Sequence, residues 1–155
     1  MEKFFSIHNL EKIILEIRKK NNLIGFTNGC FDLLHSGHLH LLYKASVQCD
    51  YLIVAVNSDL SIKSIKGEAR PIQNQQTRID NLSKISEVNA IILFEDDTPI
   101  EIIKKLKPDI MFKGSDYQEE DIVGSDIIKN NGGKVILIDL LKGFSTTNII
   151  NKSSI

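Results

Sequence analysis

Leu23-Ile24-Gly25-Phe26-Thr27-Asn28-Gly29-Cys30-Phe31-Asp32-Leu33-Leu34-His35-Ser36-Gly37-His38 is the stretch on which the reading of the chain turns. Leu23 to Thr27 is a short apolar run with the length of a buried strand, and Leu39, Leu42 and Tyr43 beyond the stretch carry helical spacing. Residues 28–38 are therefore a strand-to-helix loop. Three of the chain's four histidines lie in it or two residues beyond. Ser36 is the expected N-cap, which would leave backbone N–H groups unpaired at a helix start, a position that attracts anions. Gly37 lets a ligand approach the backbone, and the spacing of His35 and His38 lets both imidazoles face one pocket. Such a set suits a phosphate. In open α/β sheets ligands bind beyond the carboxyl ends of strands, which is where this loop would lie.

On either side the chain alternates. A helical face of Leu10, Ile13, Ile14 and Ile17 precedes the loop, and Tyr51–Val56 follows as a second strand. From Asn57 to Gln73 periodicity is lost while Lys63, Lys66, Gly67, Arg70 and Pro71 appear, so this segment is expected to be a mobile basic flap. A helix from Gln75 to Ser86 and a strand at Ala90–Phe94 come next. Thr98, Pro99 and Glu101 read as a capping box opening another helix. A fourth strand spans Asp109–Phe112 and exits through Lys113-Gly114-Ser115-Asp116-Tyr117. Asn131-Gly132-Gly133 stops a helix, Lys134–Ile138 is a fifth strand, and Ser145-Thr146-Thr147 open a last short helix. The expected fold is a doubly wound α/β domain, a five-stranded parallel sheet with helices on both faces. Residues 1–155 are read as one domain, with 1–22 a helical lead-in to a catalytic core at 23–155.

A length of 155 residues, 42% hydrophobic and 25% charged, is that of a soluble globular protein. The net charge of −1 gives no general attraction to nucleic acid or anionic membrane. Any phosphate affinity must be local. Cys30 and Cys49 lack metal or redox spacing, and no secretory leader or membrane span is apparent, so a cytoplasmic location is expected.

His35-Ser36-Gly37-His38 in this setting is similar to the signature of the nucleotidyltransferase superfamily that includes the cytidylyltransferases and phosphopantetheine adenylyltransferases. From about Leu23 to Ile150 the chain resembles the adenylyltransferase domain of ADP-heptose synthase. The matching pieces are Thr27–Asp32, Ile53–Asp59, Lys66-Gly67 with Arg70-Pro71, Asp97-Thr98-Pro99, Lys113-Gly114 with Asp116-Tyr117, and Ser145–Ile150. Glycerol-phosphate cytidylyltransferases look similar at the His motif but carry an arginine where this chain has Leu140. They also place a methionine-like residue before Gly-Asp-Asp, where this chain has Lys113-Gly114-Ser115-Asp116. Gln76 departs from the heptose family, which tends to be acidic at that position.

The resemblance implies transfer of AMP from ATP to a heptose phosphate with release of pyrophosphate, with Mg²⁺ as the triphosphate's counterion. It implies catalytic roles for His35, His38 and Lys66. Thr27, Asn28, Gly29, Cys30, Phe31, Gly37, Lys63, Arg70, Arg78, Ser145, Thr146 and Thr147 are expected to bind the nucleotide, and Asp32, Lys113, Asp116 and Tyr117 the sugar phosphate. No protein metal ligand is assigned. Expected partners are ATP, a heptose phosphate, a separate heptose kinase and a second copy of the chain, without nucleic acid or membrane. Three alternatives stand beside this: a polyol-phosphate cytidylyltransferase, a nucleotide sensor without turnover, and a transition-metal site at Asp32, His35 and His38.

Overall fold

The computed structural model describes residues 2–140. Its five strands are β1 (Ile24–Gly29), β2 (Tyr51–Asn57), β3 (Ala90–Phe94), β4 (Ile110–Gly114) and β5 (Lys134–Ile138), all parallel in the order β3-β2-β1-β4-β5. The helices are α1 (Ile7–Lys19), α2 (Ser36–Ser46), α3 (Asp59–Lys66), α4 (Gln75–Ser83), α5 (Ile100–Leu106) and α6 (Ser125–Asn130), with a 3-10 turn at Glu119–Asp121. The expected doubly wound fold is what the structure shows.

Strand β2 shows why these sequences are continuous apolar runs. Ile53 and Ala55 face a core layer with Leu10, Ile14, Ile103 and Leu106 of α1 and α5. Leu52, Val54 and Val56 face a second layer with Leu42, Ile79 and Leu82 of α2 and α4. Both faces are covered, so no polar position is left to alternate. Gly25 answers a packing demand in β1: a Cβ there would sit 2.6 Å from Cys49 Sγ and 2.8 Å from Phe112 Cε2.

The register of β1 prepares the site. β1 stays paired with β2 from Ile24↔Tyr51 to Gly29↔Val56, but with β4 only at Gly25↔Ile110 and Phe26↔Met111. Beyond Phe26 the two strands part. The strand order reverses here, so a crevice opens at the carboxyl ends of β1 and β4.

Three local expectations are corrected. Residues 57–73 are not all loop, because Ser58 caps α3 by accepting from Ser61 N, and Ile62 buries against the core. With only Ser61 and Ile62 buried, that helix has no apolar stripe for a sequence to display. Thr98 caps nothing: α5 begins at Ile100 with Pro99 in the N-cap position and no side-chain cap bond. Finally, Lys3–Phe5 lie along the β3 edge, where Ile91 N donates to Lys3 O and Phe5 N donates to Ile91 O. Among the described residues no helix is long and apolar enough to cross a membrane.

Candidate active site

The crevice is a cleft of about 450 Å³. Its floor is Thr27–Phe31 from β1 and its exit, and one wall is His35, Gly37, His38 and Leu41 of α2. Lys66 and Ile65 close it from α3, and Lys113, Gly114, Asp116 and Tyr117 from β4 and its exit.

The helix start differs from expectation in a way that bears on chemistry. The N-cap of α2 is His35, not Ser36: His35 Nδ1 accepts from Gly37 N at 3.0 Å, and His38 Nδ1 accepts from His35 N at 3.3 Å. Two backbone N–H groups that would have faced an anion instead face imidazole nitrogens. A nitrogen that accepts cannot carry the proton of a neutral ring, so in both side chains that proton sits on Nε2. The rings stack with centroids 3.9 Å apart. Burial, then the neighbouring His35, then Lys66 push His38 down to about 4, and burial lowers His35 as well. Near neutral pH the pair is therefore two uncharged Nε2–H donors held by the backbone.

Lys113 occupies the gap between the parted strands. Its Nζ donates to Asn28 O at 2.9 Å and lies 5.3 Å from the centre of the Tyr117 ring. Burial lowers its pKa to about 8, against the opposing pull of Cys30 and Asp116. The cation thus crosses the switch point and presents its remaining donors at the cleft.

Four expected contacts lie elsewhere. Asp32 does not line the cleft; it is buried and accepts from Ile72 N at 2.7 Å, Gln73 N at 2.9 Å and Arg70 Nε at 3.3 Å. A carboxylate committed to three protein donors is not presented to a sugar. Arg78 is fully buried, donating to Gln73 O, Cys30 O, Asn57 O and Asp59 Oδ1, so its guanidinium ties loops together instead of meeting a nucleotide. Arg70 pairs with Asp32, and Lys63 Nζ donates to Arg70 O, which leaves Lys66 as the α3 cation on the cleft. Ser145, Thr146 and Thr147 lie outside the described residues.

The family model described as cytidylyltransferase-like matches residues 26–152. The chain belongs to the cytidylyltransferase-like family. It is 48% identical over 140 residues to the bifunctional protein HldE of Caulobacter vibrioides, covering 90% of this chain and 29% of that protein. Against HldE of Hyphomonas neptunium the identity is 50% over 130 residues, with 84% and 27% covered. The chain thus spans under a third of the length of these curated relatives. Among solved structures, the lipopolysaccharide core biosynthesis protein from Thermoplasma volcanium GSS1 is 28% identical with a TM-score of 0.63, over 78% of this chain and 98% of that one. A pantoate-beta-alanine ligase from Francisella tularensis, 18% identical with a TM-score of 0.66 over 99% of this chain and 77% of that one, shares the fold.

In this cytidylyltransferase-like cleft, Asn57, Asp97, Thr98, Asp121, Ile122 and Leu140 line the wall as well, although the sequence assigns them no ligand contact. Asp97-Thr98 leaves the carboxyl end of β3, so the rule that places the His loop at a ligand places this resembling piece there too.

The lowered His38 pKa predicts a pH dependence. Its unfolded imidazole titrates near 6.5 and its folded one near 4, so the unfolded state binds more protons between those values. Stability therefore falls as pH drops from about 6.5 to about 4 and is constant in this respect above 6.5. Protonation also puts a hydrogen on Nδ1, facing the His35 N–H that it now accepts. An NMR titration of the His38 ring is expected to give a midpoint near 4, and a midpoint near 6.5 would show the imidazole to be solvated.

Proposed function

We propose that the chain is an adenylyltransferase that joins AMP from ATP to a heptose 1-phosphate, giving ADP-heptose and pyrophosphate. The observation that carries the reading is the backbone-locked His35–His38 pair lining one cleft with Lys66 at the sheet's switch point. The acceptor class is supported by the resemblance to ADP-heptose synthase, by the HldE relatives and by the likeness to a lipopolysaccharide core biosynthesis protein.

In this reading an oxygen of the sugar phosphate attacks the α-phosphorus, and the bond to the bridging oxygen of the β-phosphate breaks as pyrophosphate leaves in line. The nucleophile is already ionised near neutral pH, so no general base is needed. Catalysis is positioning and charge stabilisation. His38 Nε2–H donates to the α-phosphate oxygens as they gain charge, His35 serves the adjoining phosphate, and Lys66 balances the leaving group. Being neutral, the imidazoles do not compete with Lys66 by mutual repulsion. Lys113 and Tyr117 hold ligand at the β4 end.

Mg²⁺ fits this site as the triphosphate's companion. Among the described residues no group of three or more His, Cys, Asp or Glu side chains is gathered to cage a metal ion. The carboxylates on the cleft, Asp97, Asp116 and Asp121, suit an ion held mainly by phosphate oxygens and water, with Asp97 or Asp116 as a protein contact. Bound there, the ion neutralises phosphate charge. A heptose kinase supplies the phosphorylated acceptor, and the working unit is a homodimer in the cytoplasm.

The test is a matrix of ATP or CTP against each anomer of heptose 1-phosphate and glycerol phosphate, read by pyrophosphate release and product mass. Formation of ADP-heptose alone supports the proposal. A CDP-polyol product assigns the chain to the cytidylyl branch, and nucleotide binding without turnover in any well assigns it to a sensor.

A further inference from the structure

We infer that Asp32 is a positioning residue that keeps the His35–His38 pair and Lys66 in register by clamping the β1–α2 loop onto residues 70–73. Its side chain is fully buried and holds the backbone N–H groups of Ile72 and Gln73 and the Arg70 guanidinium. The clamp closes from both sides. Leu33 N donates to Gln73 Oε1 at 3.4 Å, while Arg78 donates from Nε to Gln73 O at 3.0 Å and from Nη1 to Cys30 O at 2.7 Å. Gln73 is gripped through its N–H, its carbonyl and its side chain, and each grip leads back to residues 30–33.

The backbone shows what the clamp resists. Phe31 and Leu33, on either side of Asp32, have φ of 51° and 57°, left-handed values that side-chain-bearing residues rarely adopt. Such strain persists only where the surroundings over-determine it. Here the over-determination is the set of bonds centred on Asp32, and the strained turn leads directly to His35. On the other side, Lys66 is followed by Gly67 at φ 96° and ψ 170°, a region open essentially to glycine alone, before the chain enters the clamped segment. Asp32 thus joins the two walls that must meet one triphosphate, without lining the cleft itself.

The kinetic part of the test rests on the proposed function, and the exchange part does not. Asp32→Asn keeps the shape and removes the charge. It is expected to lower kcat about 10²-fold, the effect of a misplacement near 1 Å, with the KM for ATP little changed. Amide hydrogen exchange is expected to quicken together in residues 30–38 and 67–73 while β2 and β3 keep wild-type protection. Unchanged kcat, or exchange that quickens in only one segment or throughout the sheet, overturns the inference. If D32N does not fold, R70Q breaks one arm of the clamp and is expected to quicken both segments to a lesser degree. Exchange at wild-type rates in R70Q would then overturn it. Should the wild-type protein release no pyrophosphate, the proposed function fails, and paired exchange still decides the clamp.

Discussion

His38→Ala is expected to slow pyrophosphate release about 10²- to 10³-fold, the cost of removing one preorganised donor to developing charge. The size follows from the ring's preparation. Its Nδ1 is occupied by His35 N, its proton is fixed on Nε2, and burial with neighbouring Lys66 keeps it neutral, so it needs no reorganisation as charge builds on the α-phosphate. The fold should survive, since losing one acceptor from a helix cap costs about 1 kcal/mol. His38→Gln places an amide donor in similar reach and is expected to recover part of the rate. Single-turnover kinetics with saturating ATP separates chemistry from binding. A rate within a few-fold of wild type would place the α-phosphate elsewhere.

Arg78→Met is expected to be the most damaging single change to stability, by about 3–5 kcal/mol. Methionine retains much of the stem, but it leaves Gln73 O, Cys30 O and Asn57 O without their buried donors. Each unpaired carbonyl costs about 1–3 kcal/mol, and the backbone oxygens cannot be removed to relieve the loss. Asp59→Asn should cost less, because the Asp59 side chain is 32% exposed and water can take over its role. Urea unfolding at constant m-value gives both numbers. A loss under about 1 kcal/mol for R78M would mean that water satisfies those carbonyls.

Much of this molecule was legible because its strands are covered on both faces. Runs such as Tyr51–Val56 and Ala90–Phe94 carry no polar interruption and alternate with helices, and that alternation dictates a parallel sheet with loops at one edge. His35, His38, Lys66, Lys113 and Tyr117 were legible for the same reason: each leaves or faces the carboxyl end of a strand. What sequence could not supply was the direction of side chains within the loops. Asp32, Arg70 and Arg78 have the residue types of a phosphate or sugar site, yet they point into the protein, where Asp32 and Arg78 meet backbone groups up to 48 positions away and Arg70 meets the Asp32 carboxylate. Ser36 is a better cap by type than His35, and lost because the histidine's Nδ1 reaches Gly37 N while His38 returns a bond to His35 N. Helix α3 was missed because Leu60 and Ile65, two of its three large apolar residues, are exposed.

The most direct test of AMP transfer is to follow label from ATP into the sugar nucleotide. With heptose 1-phosphate and Mg²⁺, label at the α-phosphorus is expected in ADP-heptose and label at the γ-phosphorus in pyrophosphate alone. Label from the γ-position in the sugar product would show a kinase, and would contradict attack at the α-phosphorus at this cleft.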